Sequence, residues 1–388
     1  MGDAAAVPLR TVAREWLRIG VTGFGGPPTH IALLRRLVVE RRQWIDAHEL
    51  EDAIAACNLM PGPASTQLAI FCARRVAGPA GAIVGGFAFI VPAVVMVLAL
   101  SALFLGGSPP RWVRGAGAGA GAAVAAVAVH AAVGLIGPSF VRARAAAARR
   151  ARWGAYVALG GLAGAVVGPF VVLVLLGCGA IELAVRVRVP GGLHSHAGAI
   201  FSPVVAAAAA GGLGALAWVA LKVGALSYGG GFVIVPLMRG DAVHTYHWMT
   251  SSQFNSAVAL GQVTPGPVVA TIAAVGYAAH RVAGGVLAAA IAFAPSFAFV
   301  LIGARHFDRL RADRRAQAFL DGAGPAAIGA ILGAAIPLAA ALVEAWQFVV
   351  LGLAAVALLV ARIGIVPTLL GAGAVGVVIA LAGGPLPN

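Results

Sequence analysis

Long apolar runs alternate with short arginine-bearing turns from one end of the chain to the other. The runs at 80–105 and 321–343 exceed the roughly 18 apolar residues that suggest a bilayer span. Two earlier segments are broken instead of continuous. The first, 10–40, is interrupted by Gly-Phe-Gly-Gly-Pro-Pro-Thr-His at 23–30, and the second, 47–77, by Pro-Gly-Pro at 61–63. Three further apolar segments follow at 80–105, 113–136 and 153–185. The last contains Pro169, so it reads as one kinked crossing or two short helices.

The same order returns. Pro265-Gly266-Pro267 lies 204 positions after Pro61-Gly62-Pro63, and the same shift carries Gly20 to Gly224, Gly25-Gly26 to Gly229-Gly230 and Trp44 to Trp248. Arg18 falls on Lys222, and Arg35 falls on Arg239. Beyond the Pro-Gly-Pro the spacing drifts, with Arg75-Val-Ala-Gly78 matched to Arg281-Val-Ala-Gly284 and Pro92 to Pro295. The second copy has broken segments at 214–240 and 251–280, then apolar segments at 284–303, 321–343 and 346–383. Two homologous repeats, 1–190 and 200–388, are therefore expected, with a joining loop at 186–198.

The second segment of each copy has a defined start. Asp46-x-x-Glu49 and Thr250-x-x-Gln253 fit a capping box. The 14 residues from 47 to 60 rise about 21 Å, short of the roughly 30 Å hydrocarbon layer. The break thus falls at membrane depth, where open backbone survives only inside protein or beside water.

Composition fixes the class. The 388 residues are 61% hydrophobic and only 10% charged, against about a quarter charged in soluble domains. An all-α polytopic membrane protein is predicted, with two broken helices and three further transmembrane segments in each half. The N-terminus lacks a compact apolar core ahead of a small-residue cleavage site, so no signal peptide is expected. The formal charge of +14 sits in short runs between apolar segments, as in loops facing an anionic leaflet, and implies no nucleic-acid partner.

Arginine runs follow the first segment (Arg35, Arg36, Arg41, Arg42) and the fourth (Arg142, Arg144, Arg149, Arg150, Arg152). In the second copy the rich run is Arg305, Arg309, Arg311, Arg314 and Arg315, after the third segment. The positive-inside rule places all of these on one side only if the copies are inverted and the broken segments are re-entrant hairpins.

Candidate chemistry is sparse. Cys57, Cys72 and Cys178 lack metal or redox spacing and read as buried thiols. Lys222, the only lysine, is followed by Val223, so a P-loop ATP pump is excluded. His194-x-His196 and His244-x-x-His247 have ligand-like spacing but no supporting carboxylate or cysteine set. HExxH, GxSxG and paired intramembrane acids are missing, which argues against an enzyme.

The breaks themselves are the expected site. A helix restarting after proline presents free amides and about half a positive charge, a ready anion site. Gly25, Gly26, Pro27, Thr29 and His30 frame one such start, and Pro61, Gly62, Pro63, Ser65 and Thr66 frame another. Ser227, Tyr228, Gly229 and Gly230, with Thr264, Pro265, Gly266 and Pro267, are their counterparts. Four such ends would frame one midplane cavity, as discontinuous helices do in secondary transporters. Arg18 and Lys222, each preceding a break without a matched acid, either face an anion there or snorkel to the surface. Asn58 and Gln262 either donate to an oxyanion or bond the freed carbonyls.

These residues carry a resemblance. The Gly-Phe-Gly-Gly-Pro and Pro-Gly-Pro elements, Trp44-Ile45 after the first basic loop, and the full-length duplication resemble the chromate transporter (CHR) family in its two-domain form. In the second copy Ser227-Tyr228-Gly229-Gly230-Gly231 replaces the first motif. The resemblance implies a multi-pass bacterial inner-membrane protein that exports chromate and confers chromate resistance. Chromate and sulfate are both tetrahedral dianions, so the partner is chromate or a sulfate-like oxyanion in a lipid bilayer. A homodimer is one assembly compatible with this reading. The alternatives are a proton-coupled importer of a sulfate-like oxyanion, using His30, His130 or the acids near Asp52, and a passive anion channel.

Overall fold

The computed structural model describes residues 7–60, 62–144, 146–167, 171–186, 212–227, 232–303 and 313–387. Among the described residues lie fourteen α-helices and no strand. The first half contributes α1 (Leu9–Thr22), α2 (Pro27–Arg35), α3 (Ala47–Leu59), α4 (Ala64–Phe104), α5 (Arg111–Ala143), α6 (Ala147–Leu162) and α7 (Val171–Arg186). The second half contributes α8 (Gly212–Leu226), α9 (Ile234–Arg239), α10 (Ser251–Val263), α11 (Ile272–Gly303), α12 (Arg314–Ala340), α13 (Ala345–Ala355) and α14 (Ile365–Leu381).

In lipid every backbone group must find its partner inside the segment, which is why so apolar a chain is helical. The helices spanning Ala64–Phe104, Arg111–Val141, Val268–Gly303 and Arg314–Ala340 are long and apolar enough to cross a bilayer. Their outer faces carry exposed aliphatic side chains such as Val95, Val133, Val286 and Ile336, as a lipid-facing surface requires. The long final segment of each half is two helices, α6–α7 and α13–α14, the second of the two arrangements expected.

Two of the long helices are hinged. Ala77 and Gly78 leave helical geometry (φ −142° and 67°), as do His280 and Arg281 (φ −143° and 54°). After each hinge the chain doubles back. Gly85 packs on Ala73, twelve positions earlier, a distance that a straight helix would stretch to about 18 Å. The first hairpin therefore has arms 64–77 and 79–104, and the second has arms 268–280 and 282–303. The hinges lie 203 positions apart, so Gly78 corresponds to Arg281. This corrects the motif match of Arg75 with Arg281. The true equivalents are Gly81 and Gly284, which press on Ala77 and His280 respectively.

The broken segments fold back as well. Glu49, at the start of α3, is ion-paired to Arg75, at the end of arm 64–77. Had these 26 residues run straight, about 39 Å would separate them. Glu49 is engaged there, and the expected capping box on α3 is replaced by a simple N-cap in which Asp46 accepts from His48 N at 2.8 Å. The Thr250–Gln253 box on α10 is complete, at 3.2 and 2.9 Å. The chain from α1 through α2 also returns on itself, with Glu15 bonded to Arg42 at 2.6 Å and Trp16 stacked on Trp44 at 6.5 Å. Val7 N donates to Val76 O at 3.1 Å, which brings the start of α1 to the end of arm 64–77.

Between the halves, arms 79–104 and 282–303 pack antiparallel. Phe87 meets Phe297 (centroids 5.3 Å) near one end, and Leu98 meets Gly285 near the other. The last helices of each half rest on the other half: α13 and α14 on α5, and α6 and α7 on α12. Glycines permit these close crossings, as where Gly115 meets Gly376 and Gly160 meets Ala326.

Candidate functional site

Local chemistry dictates the two Pro-Gly-Pro turns. Gly62 and Gly266 have φ of +110° and +93°, a region that a Cβ disfavours. Pro63 and Pro267 follow with φ of −73° and −68° and serve as N-caps. Helix resumes at Ala64 in the first half; in the second a 3₁₀ turn, Val268–Thr271, precedes α11. The other expected restart is also present, since α2 begins at Pro27 behind Gly26.

These turns meet across the halves. Gly266 N donates to Gly23 O at 3.0 Å, which ties the second Pro-Gly-Pro to the first Gly-rich break. His30, fully buried, lies 2.9 Å from the same carbonyl through Nε2. A carbonyl only accepts, so Nε2 carries the hydrogen and Nδ1 is left to accept from Ser65 Oγ at 3.3 Å. A Cβ placed on Gly62 would be 3.4 Å from Gly224 O and 3.5 Å from Ser296 Oγ. One placed on Gly26 would be 3.7 Å from Val268 Cγ2.

The expected site residues divide into three groups. Buried at the junction are His30, Gly62, Pro63, Ser65, Thr66, Ser227, Gln262, Thr264, Pro265, Gly266 and Pro267. Gly26, Pro27 and Thr29 are half-buried and Gly25 is exposed, so the first Gly-rich break reaches the molecular surface. Pro61, Tyr228, Gly229 and Gly230 lie outside the described residues.

For Arg18 the surface alternative fits, and two expectations are corrected. Arg18 is exposed, because α1 turns Trp16, Ile19 and Gly20 inward and leaves Arg18 on the opposite face. Lys222 is not an unmatched cation: it is buried and ion-paired to Asp241, which is buried with it. Asp241 follows the break in the chain, so its pairing with Lys222 arises only when the chain folds back and is not visible in the acids that precede the break. Asn58 is exposed while its counterpart Gln262 is buried, since α10 packs extensively on α5 and α3 makes little contact with α12.

Polar atoms without partners mark what the junction lacks. Among the described residues, Thr66 Oγ1, Ser227 Oγ, Ser296 Oγ and Gln262 Nε2 are buried with no hydrogen-bond partner. Buried polar groups are normally satisfied, and each that is not costs about 1–3 kcal/mol. Ser296 was not singled out from the sequence, although Pro295-Ser296 standing where the first half has Pro92-Ala93 was a readable signal. Elsewhere His244 lies against Arg239, with Nε2 3.1 Å from Nη1. Among the described residues no three His, Cys, Asp or Glu side chains converge. His194 and His196 lie outside them. The three cysteines are free and buried.

These unpartnered hydroxyl and amide groups are uncharged and lie in sequence next to the breaks or, for Ser296, in space beside Gly62. A profile of the chromate transporter family matches residues 10–183 and again 214–377. The chain belongs to the chromate transporter family. It is 32% identical over 366 residues to a chromate transport protein of Cupriavidus metallidurans, covering 92% of this chain and 89% of that one. A chromate transport protein of Pseudomonas aeruginosa is 31% identical over 343 residues, with 84% and 80% covered. A probable chromate transport protein of Synechococcus elongatus is 29% identical over 345 residues, with 86% and 85% covered. No solved structure matches. Members of this family are transporters, and the chain is a polytopic membrane protein of that kind.

Proposed function

We propose that the chain exports chromate across the bacterial inner membrane through the junction of its broken helices, and so confers chromate resistance. The observation that carries this reading is the pair of buried hydroxyls without partners, Thr66 directly after the first Pro-Gly-Pro and Ser227 at the end of α8, where breaks drawn from both halves meet. Such a pair suits an anion whose oxygens only accept hydrogen bonds. Expelling a dianion from a negative interior gains about 4.6 kcal/mol per 100 mV, so the membrane potential suffices without ATP.

The halves are two repeats of opposite orientation. Three observations support this: the doubled family match, the matched hinges, and the antiparallel packing of arms 79–104 and 282–303. Arm 79–104 leaves the side that carries Glu49 and Arg75, and its end, Phe104, meets Gly117 beside Ser256 near the start of α10. Its 26 residues rise about 39 Å, so α3 and α10 enter from opposite sides.

A second reading, proton-coupled import of a sulfate-like oxyanion, draws support from the buried Lys222–Asp241 pair and from His30, which are titratable groups at the junction. Everted vesicles given labelled chromate or sulfate in the outside medium separate the two. Export in the cell is uptake here, and it is expected to follow an interior-positive potential and to survive collapse of the pH gradient. Uptake that vanishes with the pH gradient, or transport of sulfate alone, would replace the first reading with the second.

A further inference from the structure

The junction is not symmetric, and its asymmetry locates the anion. At the second Pro-Gly-Pro the neighbours are apolar or already bonded. Gly266 N is bonded to Gly23 O, and a Cβ on Gly266 would be 2.8 Å from Ala93 Cβ. The residues that follow are Val268, Val269 and Ala270, and the next hydroxyl, Thr271 Oγ1, is spent on Val268 O at 2.7 Å.

The first Pro-Gly-Pro is built differently at each equivalent position. Ser296 replaces Ala93, Ser227 replaces Gly23, and Thr66 replaces Ala270. Among the described residues no backbone bond joins Gly62 to Ser227. Gly224 packs against Ala292, and Ser227 and Ser296 follow that contact by three and four residues, about one helical turn each. Ser296 is at the level of Gly62, its Oγ 3.5 Å from the Cβ position, where Gln67 Nε2 lies at 2.7 Å and Gly224 O at 3.4 Å; Ser227 follows Gly224 by three residues. Thr66 lies in the first turn of arm 64–77, directly after the same glycine. All three side chains are 0% exposed, and all three hydroxyl oxygens lack a partner.

We propose that Thr66, Ser227 and Ser296 form a single, uncharged oxyanion subsite at the first Pro-Gly-Pro, with Ser296 supplied by the opposite half as a specificity residue. It deepens the transport reading given above and rests on it. Three O–H donors and the free amides that open arm 64–77 meet the oxygens of a tetrahedral dianion. Among the described residues the buried cation, Lys222, is already paired with Asp241, so recognition depends on dipoles and hydrogen bonds alone. Keeping three unpaired hydroxyls in the interior is a stability burden, of the kind retained where a ligand completes the set.

Calorimetric titration of the purified full chain with chromate, and separately with sulfate, tests this. Wild type is expected to bind chromate, and Ser296→Ala is expected to bind it about tenfold more weakly or worse, since it loses a hydrogen bond to a charged group. The melting temperature of the unliganded variant should hold or rise, because a buried hydroxyl without a partner has been removed. Ser101→Ala is the control: its hydroxyl is also 0% exposed and without a partner, but it lies two turns beyond Ala93 on arm 79–104. It should leave affinity unchanged. Wild-type affinity in Ser296→Ala overturns the subsite while leaving the transport reading intact. A wild type that binds neither anion overturns both. Should Ser296→Ala fail to fold, the same titration of Ser227→Ala decides, and retained affinity there counts against the subsite.

Discussion

At the scale of single residues, the charges and the turns make different demands. Lys222 and Asp241 are buried together, so removing one partner strands the other in an apolar interior at a cost of about 3–5 kcal/mol, whereas replacing both with apolar residues is often neutral. Lys222→Met is therefore expected to fail in folding or membrane accumulation, and the double variant Lys222→Met/Asp241→Leu to recover both. Detergent-solubilised yield and melting temperature check this; equal yields from the two would place the pair outside the packed interior. Arg18→Ala, on the exposed face of α1, is expected to transport at near wild-type rates in the vesicle assay. Gly62→Ala is a sharper case. It meets a disfavoured φ of +110° and places a methyl 2.7 Å from the amide nitrogen of Gln67. Transport should fall by about tenfold or more, in line with a strain of roughly 1–3 kcal/mol at the turn. Unchanged transport would show that the turn is free to reshape.

At the scale of elements, the hairpins carry the fold. The Glu49–Arg75 contact makes α3 and arm 64–77 a returning pair. Glu49→Cys/Arg75→Cys is accordingly expected to be bridged within one chain by a short bifunctional thiol reagent, which spans the gap two long side chains filled, detected as a mobility shift. The native cysteines are buried and free, so they add little background. Failure to cross-link would favour a straight, broken crossing. Much at this scale was legible in the sequence: Pro-Gly-Pro and Pro27-Pro28 mark real interruptions, and Thr250-x-x-Gln253 marks a real helix start. The hinges at Gly78 and Arg281 were not, because neither proline nor a glycine pair stands at both, and Arg281 adopts positive φ against its own preference. Asp46-x-x-Glu49 misled because a tertiary partner, Arg75, took the glutamate that local capping would have used.

At the scale of the whole molecule, the duplication was visible as matched residues, whereas the site's one-sidedness was not. Symmetric motifs imply symmetric sites; only packing shows that Ala93 faces one turn while Ser296 furnishes the other with a hydroxyl. Likewise, a count of cations could not reveal that Lys222 is neutralised and Arg18 faces outward, because pairing across a break is a tertiary fact. The two halves become one unit because each lends its last two helices to the other. In the proposed arrangement opposed repeats would bring the breaks to one depth, and the transport reading depends on that convergence. The measurement that tests it most directly is sided thiol labelling of two exposed positions, Glu51→Cys in α3 and Gln253→Cys in α10. With a membrane-impermeant maleimide, Glu51→Cys is expected to react only in everted vesicles and Gln253→Cys only in intact cells or spheroplasts. Labelling of both positions from the same side would contradict the inverted arrangement, and with it the shared central junction.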